Sequence, residues 1–395
     1  MILPPLKTEY VGDKGALFWL ALKTGALTVI TLGLYRFWMK TRLRRYYWSA
    51  IRPGGAPLEY TGTPWEKLLG FLTAVVVLAF YIGVVNLLLM FVSFSLFQGN
   101  FVAYAMSFVG VLPLIFFAQY RARRYVLART RWRGIRFGLE PGAWGYAWRA
   151  AVHWLITLAS LGILWPRMAF ALEKYRVDRT FYGTARLEQG GRWTMLLPAM
   201  KSLYSAAAIS AVAGVMIWSS DNPMWALAFL LTGPWALYGM AKWRADSFRL
   251  LTGAKRMAGV QFQAQPRSGR VLGIYLGGYT LAYLCIVAAV VAVMFTLGMA
   301  LAAGLSMNPQ AILEGDFSSI PGWSATFFFV MGYFAIFVLW GVFTHVFVTL
   351  PLAQHFAEET EVLQPELLAK ITQRARDEFA EAEGFADALD VGAAL

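Results

Sequence analysis

Six apolar runs of bilayer-spanning length constrain this chain more than anything else in it. They lie at 68–97, 101–119, 203–219, 224–241, 271–303 and 323–351. Roughly 20 such residues cross a hydrocarbon core as a helix, and a soluble fold would have to bury all six on every side. The runs are continuous rather than alternating at period two, which argues against a β-barrel. Charge agrees: 14% of the 395 residues are charged, where soluble domains carry about 25%. The fold class read from these features is all-α, a polytopic membrane helical bundle. Pro4, Pro5 and Lys23 in the first apolar stretch speak against a cleaved signal peptide. Cys285 is the single cysteine and lies in an apolar run, so no disulfide framework is expected.

The net charge of +13 is unevenly spread. Segments 40–67, 120–140, 167–192 and 242–270 carry six, seven, six and seven Lys/Arg, which is 26 of the 35, and the connections at 98–100, 219–223 and 304–322 carry none. Positive charge marks the cytoplasmic side. The four basic segments are therefore expected inside, and the connections bearing Asp221, Glu314 and Asp316 outside. That pairs the runs as six spanning helices in three hairpins.

Two apolar segments remain, 16–38 and 144–166. The second has basic segments at both ends, so a single crossing would strand one of them outside. Thr31-Leu-Gly-Leu-Tyr35 echoes Ser160-Leu-Gly-Ile-Leu164, and Gly33 and Gly162 stand where a helix has to turn. Glycine accepts the positive φ that ends helices. Both segments are read as shallow re-entrant or interfacial helical hairpins, with two ordinary spans as the alternative. Past Gly33, Met39, Leu43, Tyr46, Tyr47 and Ala50 recur at helical spacing, opposite Lys40, Arg42 and Arg45. This spacing predicts an in-plane helix over 34–52, its apolar face in the acyl boundary and its basic face toward anionic headgroups.

Arg42-Leu-Arg-Arg-Tyr46 returns as Arg121-Ala-Arg-Arg-Tyr125 and, degenerately, as Arg244-Ala-Asp-Ser-Phe248. Short β-like stretches come after them at Leu58–Gly62, Ile135–Gly138 and Val260–Phe262, with an echo at Arg179–Gly183. These echoes suggest internal repeats. The division read from them is an N-terminal segment 1–14, membrane repeats at 15–140 and 142–265, a third helix pair at 266–351 and an acidic cytoplasmic tail at 352–395. The tail holds ten acidic and three basic residues and suggests a helix near 365–383, either solvated or folded back onto the basic segments.

The stretch LFWLALKTGALTVITLGLYRFWMKTRLRRYYWS, the later EYTGTPWEKLLGF and the terminal EGFADALDVGAAL carry a family resemblance. They resemble the YjgN family of bacterial inner-membrane proteins, a domain of unknown function. The resemblance implies a multi-span protein of the bacterial inner membrane and supplies no catalytic or binding residue.

No catalytic constellation is visible. His153, His345 and His355 lack metal-ligand spacing, and no phosphate-binding or nucleophile motif appears. Neither an enzyme nor a cofactor is expected. The basic caps (Arg36, Lys40, Arg42, Arg45, Arg121, Arg123, Arg124 and Arg244) are read as anionic-lipid contacts, not nucleic-acid sites, because they adjoin spans and interleave with belt aromatics. Asn86, Lys23 and His153 are the polar residues that could line a pathway. Gly273 with Gly277, and the row Ala206, Ser210 and Gly214, are read as helix-packing positions. The functional expectation is a transporter or channel with a basic cytoplasmic mouth. The alternative is a non-transporting lipid-organising scaffold or accessory subunit, as a homo-oligomer or within a membrane complex.

Overall fold

The structure, a computed structural model, describes residues 4–97, 101–220, 222–304 and 322–375. The chain divides into two compact units, one of residues 1–11, 44–272 and 354–395, the other of 12–43 and 273–353. Residues 305–321 of the expected connection at 304–322, the connection at 98–100, Asp221 and the tail beyond 375 lie outside the described residues.

The first unit corrects the all-α expectation. The short β-like stretches are strands of a single ten-stranded antiparallel sheet: β1 (Leu6–Tyr10), β2 (Ile51–Pro53), β3 (Leu58–Tyr60), β4 (Thr130–Trp132), β5 (Ile135–Leu139), β6 (Thr180–Tyr182), β7 (Ala185–Gln189), β8 (Lys255–Met257), β9 (Val260–Ala264) and β10 (Thr360–Leu363). Their order is β2-β1-β10-β9-β8-β7-β6-β5-β4-β3. The two end strands are consecutive in the chain, so the sheet runs nearly full circle. The N-terminal and C-terminal strands pair with each other, Leu6 opposite Val362 and Lys7 opposite Glu361. Strands of three to five residues are too short to show a period-two pattern against the helices around them, which is why apolar run length hid the sheet.

Side chains fill the ring. Trp132, Tyr182, Met257, Val260 and Val362 converge there, and Leu368 and Ile371 join them from a 3₁₀ turn at Pro365–Lys370 and the residue after it. That turn replaces the first part of the helix expected near 365–383. The Tyr182 hydroxyl donates to the Trp132 carbonyl at 2.9 Å, which satisfies that polar tip, whereas the Trp132 indole N–H is buried without a hydrogen-bond partner. The C-terminal segment is bound at the tight turns: Thr184 N–H donates to the Thr372 carbonyl at 2.9 Å, and Arg136 N–H donates to Gln373 Oε1 at 2.9 Å.

In an antiparallel meander the connections alternate between the two rims. The tight turns Arg133–Gly134 and Ala258–Gly259, with positive φ at both residues, fit the mirror-image turns that match strand twist. They and Gly183–Thr184 mark one rim, and the helical connections of the first unit leave and return at the other. Within the first unit these connections are three. The longest comprises α3 (Pro64–Phe80), a π-helical turn at Tyr81–Val85, α4 (Asn86–Phe97) and α5 (Phe101–Ala128). A short hairpin is α6 (Ala143–Ala159) and α7 (Trp165–Val177), and a second long pair is α8 (Leu197–Ser220) and α9 (Leu227–Gly253). β5 and β6 pair directly, Phe137 opposite Tyr182, so both ends of the short hairpin stand at one rim.

The second unit contains α1 (Lys14–Ile30), the start of α2 (Arg36–Ala50), most of α10 (Ser268–Gly304), and α11 (Gly322–Thr344) with the π turn His345–Thr349 after it. α1 packs closely on α11: a Cβ at Gly25 would stand 2.9 Å from Val338 Cγ1. Among the described residues, four helices are long and apolar enough to cross a bilayer, over Trp193–Ser220, Pro223–Gly253, Ser268–Val293 and Val330–Glu358. They leave large apolar side chains such as Val215, Trp218, Leu231 and Phe337 exposed, which is the surface a hydrocarbon solvent accommodates.

Candidate functional site: an arginine-lined groove

Strand alternation builds the site. In β4, Thr130 and Trp132 are buried, so Arg131 between them points the other way. Arg136 does the same in β5, and the register sets Arg131 directly opposite it. Like charges in direct cross-strand register destabilise a sheet. Glu59 on β3 is registered with Arg131 from the other side. Around this pair a groove of about 560 Å³ is lined by Arg124 and Arg129 from the end of α5, by Phe181, and by Arg374.

Gly138 makes room for the groove wall, since Phe181 lies directly over it where a Cβ would clash. The Arg374 guanidinium stands 4.4 Å from the Phe181 ring centroid. Arg124 Nε donates to the Leu139 carbonyl at 3.1 Å, which fixes its fork at the groove end. Glu140 is the one acidic side chain in the lining among the described residues and pairs with Arg186 at 2.7 Å; Arg129 pairs with Glu66 at 2.9 Å. Guanidinium forks held this way suit a carboxylate or phosphate group.

A second charged cluster anchors α7. Glu173 is 13% exposed and meets Lys255 of β8 at 2.9 Å and Arg176 at 2.8 Å. Burial pushes its carboxyl pKa up, but Lys255, Arg176 and Arg123 outweigh burial and hold it far below the usual carboxylate range. Burial lowers the Arg123 pKa while Glu173 opposes that shift, and Arg123 Nε is buried without a hydrogen-bond partner.

The structure scatters the remaining positions singled out in the sequence. Of the basic caps, Arg124 alone lines the groove. Arg123 is turned into the Glu173 cluster rather than toward lipid. Arg45 donates to the Gly62 carbonyl at 2.9 Å, Arg42 lies over the Tyr35 ring, and Arg121 lies over Phe117. Arg36 and Lys40 are half-buried, and Arg244 is exposed. The in-plane helix is corrected: Phe37, Leu43, Tyr47 and Ala50 of α2 are buried within protein rather than laid on acyl chains. Gly33 and Gly162 do form the hairpin turns, at φ 92° and 86°. Leu32 and Leu161 beside them are 93% and 92% exposed.

Lys23 is exposed on α1, and His153 is half-buried on α6, where its carbonyl accepts from Thr157 Oγ1 at 2.7 Å. Asn86 opens α4 just after the π turn, and its side chain is outside the described set. Ala206 is buried, and Ser210 Oγ donates to Thr232 Oγ1 across the α8–α9 pair at 2.9 Å. A Cβ at Gly214, Gly273 or Gly277 would meet nothing within 4 Å. Close helix approach falls instead on Gly239 against Leu203, and on Gly278 against the Phe347 carbonyl. Sequence reading missed Arg129, Arg131, Arg136 and Arg374 as a set. The density of arginine in 120–140 was the available signal, but only the strand register brings Arg131 and Arg136 face to face.

A family model described as a bacterial protein of unknown function, DUF898, matches residues 5–387. Inner membrane protein YjgN of Salmonella typhimurium is 28% identical over 153 residues, which is 38% of this chain. The match covers 36% of that relative's own length. No solved structure shows significant similarity. The apolar spans make this a membrane protein, and the near-complete family match makes the chain a member of the YjgN family, DUF898.

Proposed function

We propose that the protein is a non-transporting scaffold of the bacterial inner membrane that gathers anionic lipid at the cytoplasmic leaflet. The observation that carries this reading is the pair of short hairpins with exposed leucines at their tips. A helix of 17 residues such as α1 or α6 is about 25 Å long, less than the roughly 30 Å of a hydrocarbon core. With both ends on one side, each hairpin dips into a leaflet and returns as a wedge. The basic segments at the helix bases favour the cytoplasmic side for the ring and attract anionic headgroups. The two repeated modules and six crossings of the sequence reading belong to this proposal.

A transporter with a basic cytoplasmic mouth is the weaker reading. Such a mouth needs an open conduit, and the ring at its centre is packed with Trp132, Tyr182, Met257 and Leu368.

Spin-labelled lipids test the proposal. In reconstituted membranes the protein should immobilise phosphatidylglycerol in preference to phosphatidylcholine, and Leu32→Asp with Leu161→Asp should reduce that preference. Equal immobilisation of the two lipids, or solute flux that depends on the protein, would overturn it.

A further inference from the structure

We propose that the second hairpin holds the phosphate of an anionic phospholipid on the face formed by Arg149, His153 and Arg167. Arg149 and His153 are four positions apart and share a face of α6, and Arg167 stands across the turn on α7. Both guanidiniums lie within electrostatic reach of the His153 ring. Arg149 and Arg167 are exposed, and His153 is half-buried. Arg149 donates to the Gly145 carbonyl at 3.0 Å and lies over the Tyr175 ring, which fixes its fork without neutralising its charge. Glu173 is the one acidic residue between 143 and 177, and it is committed to Lys255 and Arg176. Among the described residues neither Arg149 nor Arg167 forms an ion pair.

Depth in the membrane decides the ligand. The Tyr204 hydroxyl of α8 donates to the Ile163 carbonyl at 2.6 Å. The hairpin tip therefore stands about 10 Å along this apolar helix from its start at Leu197. Lys201, one turn nearer that start, is exposed, and from there its ammonium reaches headgroups. Arg167 follows Gly162 by five residues, which sets it about 7 Å back from the tip and near the level of Lys201. His153 and Arg149 lie behind it, toward the hairpin base. The oxygens of a phosphodiester suit guanidinium forks and a ring N–H. Two arginines favour a lipid of net negative charge over a zwitterionic one, whose own ammonium they repel. The turn itself does not require these charges. Aligned on Gly33 and Gly162, the first hairpin has Leu20, Thr24 and Trp38 at the three positions, yet it makes the same hydrogen bond at its tip. The site rests on the reading that the hairpin dips into the cytoplasmic leaflet, and adds to it a headgroup contact that the first hairpin lacks.

The test uses the full chain in detergent, with phosphatidylglycerol or phosphatidylcholine added in steps and bound lipid counted by native mass spectrometry. Wild type should bind the first phosphatidylglycerol more tightly than the first phosphatidylcholine. Arg149→Gln with Arg167→Gln should weaken that first phosphatidylglycerol roughly tenfold, whereas Arg149→Lys with Arg167→Lys should stay within about threefold of wild type. Arg133→Gln with Arg256→Gln, an equal loss of charge at exposed positions of the ring, should change it by less than about twofold. Free glycerophosphoglycerol, the headgroup without its chains, should compete poorly. The proposal is overturned if the Arg149 and Arg167 glutamines bind like wild type, or if the ring glutamines weaken binding as much. It is also overturned if the lysine pair falls as far as the glutamine pair, which would mark lost packing rather than lost charge. Equal competition by the free headgroup would make this a site for soluble phosphates and overturns it too. Spin-labelled lipids in reconstituted membranes separate this site from the leaflet reading. A preference for phosphatidylglycerol that Leu32→Asp with Leu161→Asp reduces, and that the Arg149 and Arg167 glutamines leave intact, sinks the site alone. Absence of any preference in wild type sinks both.

Discussion

The two short hairpins have the same tip and different footings. At the tips, Gly33 N–H donates to the Thr28 carbonyl at 2.7 Å and Gly162 N–H to the Thr157 carbonyl at 2.8 Å. Leu32 and Leu161 hold φ of 50° and 51°. Thr28 Oγ1 donates to Met39 Sδ at 3.8 Å and Thr157 Oγ1 to Met168 Sδ at 3.7 Å. At the base of the first hairpin the end of α2 is fixed by aromatic contacts and by arginines on neutral partners, Arg45 on the Gly62 carbonyl and Arg44 over the Trp48 and Tyr60 rings. Tyr47 is 1% exposed, and Trp48 Nε1 donates to Thr130 Oγ1 at 2.9 Å. At the base of the second, α7 is fixed by buried charge through Glu173, Lys255 and Arg176. Tip geometry is set by five or six consecutive residues, whereas the footing depends on partners far away in the chain.

The largest break in this comparison should come from Glu173→Gln. It leaves Lys255 and two arginines with no anion between them, and removing one partner of a buried pair costs about 3–5 kcal/mol. Hydrogen exchange should then rise across α7 and β8 while α2 and β2 keep their protection. The same carboxyl gives a pH signature. Its folded pKa is depressed, so its contribution is fully present above the unfolded value of about 4.3 and is lost progressively as pH falls from there toward the lowered folded value. In wild type, exchange protection at the α7 base should therefore decline as pH drops below the ordinary carboxylate range, and Glu173→Gln, which has no group to titrate there, should start lower and flatten that decline.

A change at the tips should act on both hairpins alike. Gly33→Ala and Gly162→Ala force a Cβ into positive φ, and each should cost about 1–2 kcal/mol of hairpin stability by hydrogen exchange. Unequal effects would mean that the footings reach the turns. Trp48→Phe removes one hydrogen bond at the first base and should cost about 1 kcal/mol there, with no change in the second hairpin. The smallest effect is expected from Thr28→Val and Thr157→Val. Each removes a long contact to sulfur and an intrahelical back-bond, and should change protection by less than about 0.5 kcal/mol.

The same contrast explains what was legible in the sequence. The turns at Gly33 and Gly162 were readable because a local echo and the charge at both ends of 144–166 left no room for a crossing. Four of the six expected spans were readable because length alone defines them. The ring was not, because strands such as Thr130–Trp132 and Thr180–Tyr182 are three residues long and pair with partners up to hundreds of positions away, as Leu6 does with Val362. The apolar face of α2 was visible, but periodicity does not distinguish burial in lipid from burial in protein, and Leu43 and Tyr47 proved to be core. The groove was invisible for the same reason as the ring: its arginines meet through strand register and through a C-terminal segment that returns beside Arg136.

The central claim is that the strands on either side of the second hairpin stand on one side of the membrane, the cytoplasmic side, with the hairpin dipping between them. Single cysteines replacing Arg133 and Arg186, both exposed, in a Cys285→Ser background test it directly. A membrane-impermeant maleimide should label neither in intact spheroplasts and both after permeabilisation. Labelling of either from outside would make segment 144–166 a crossing or invert the ring, and would contradict the account.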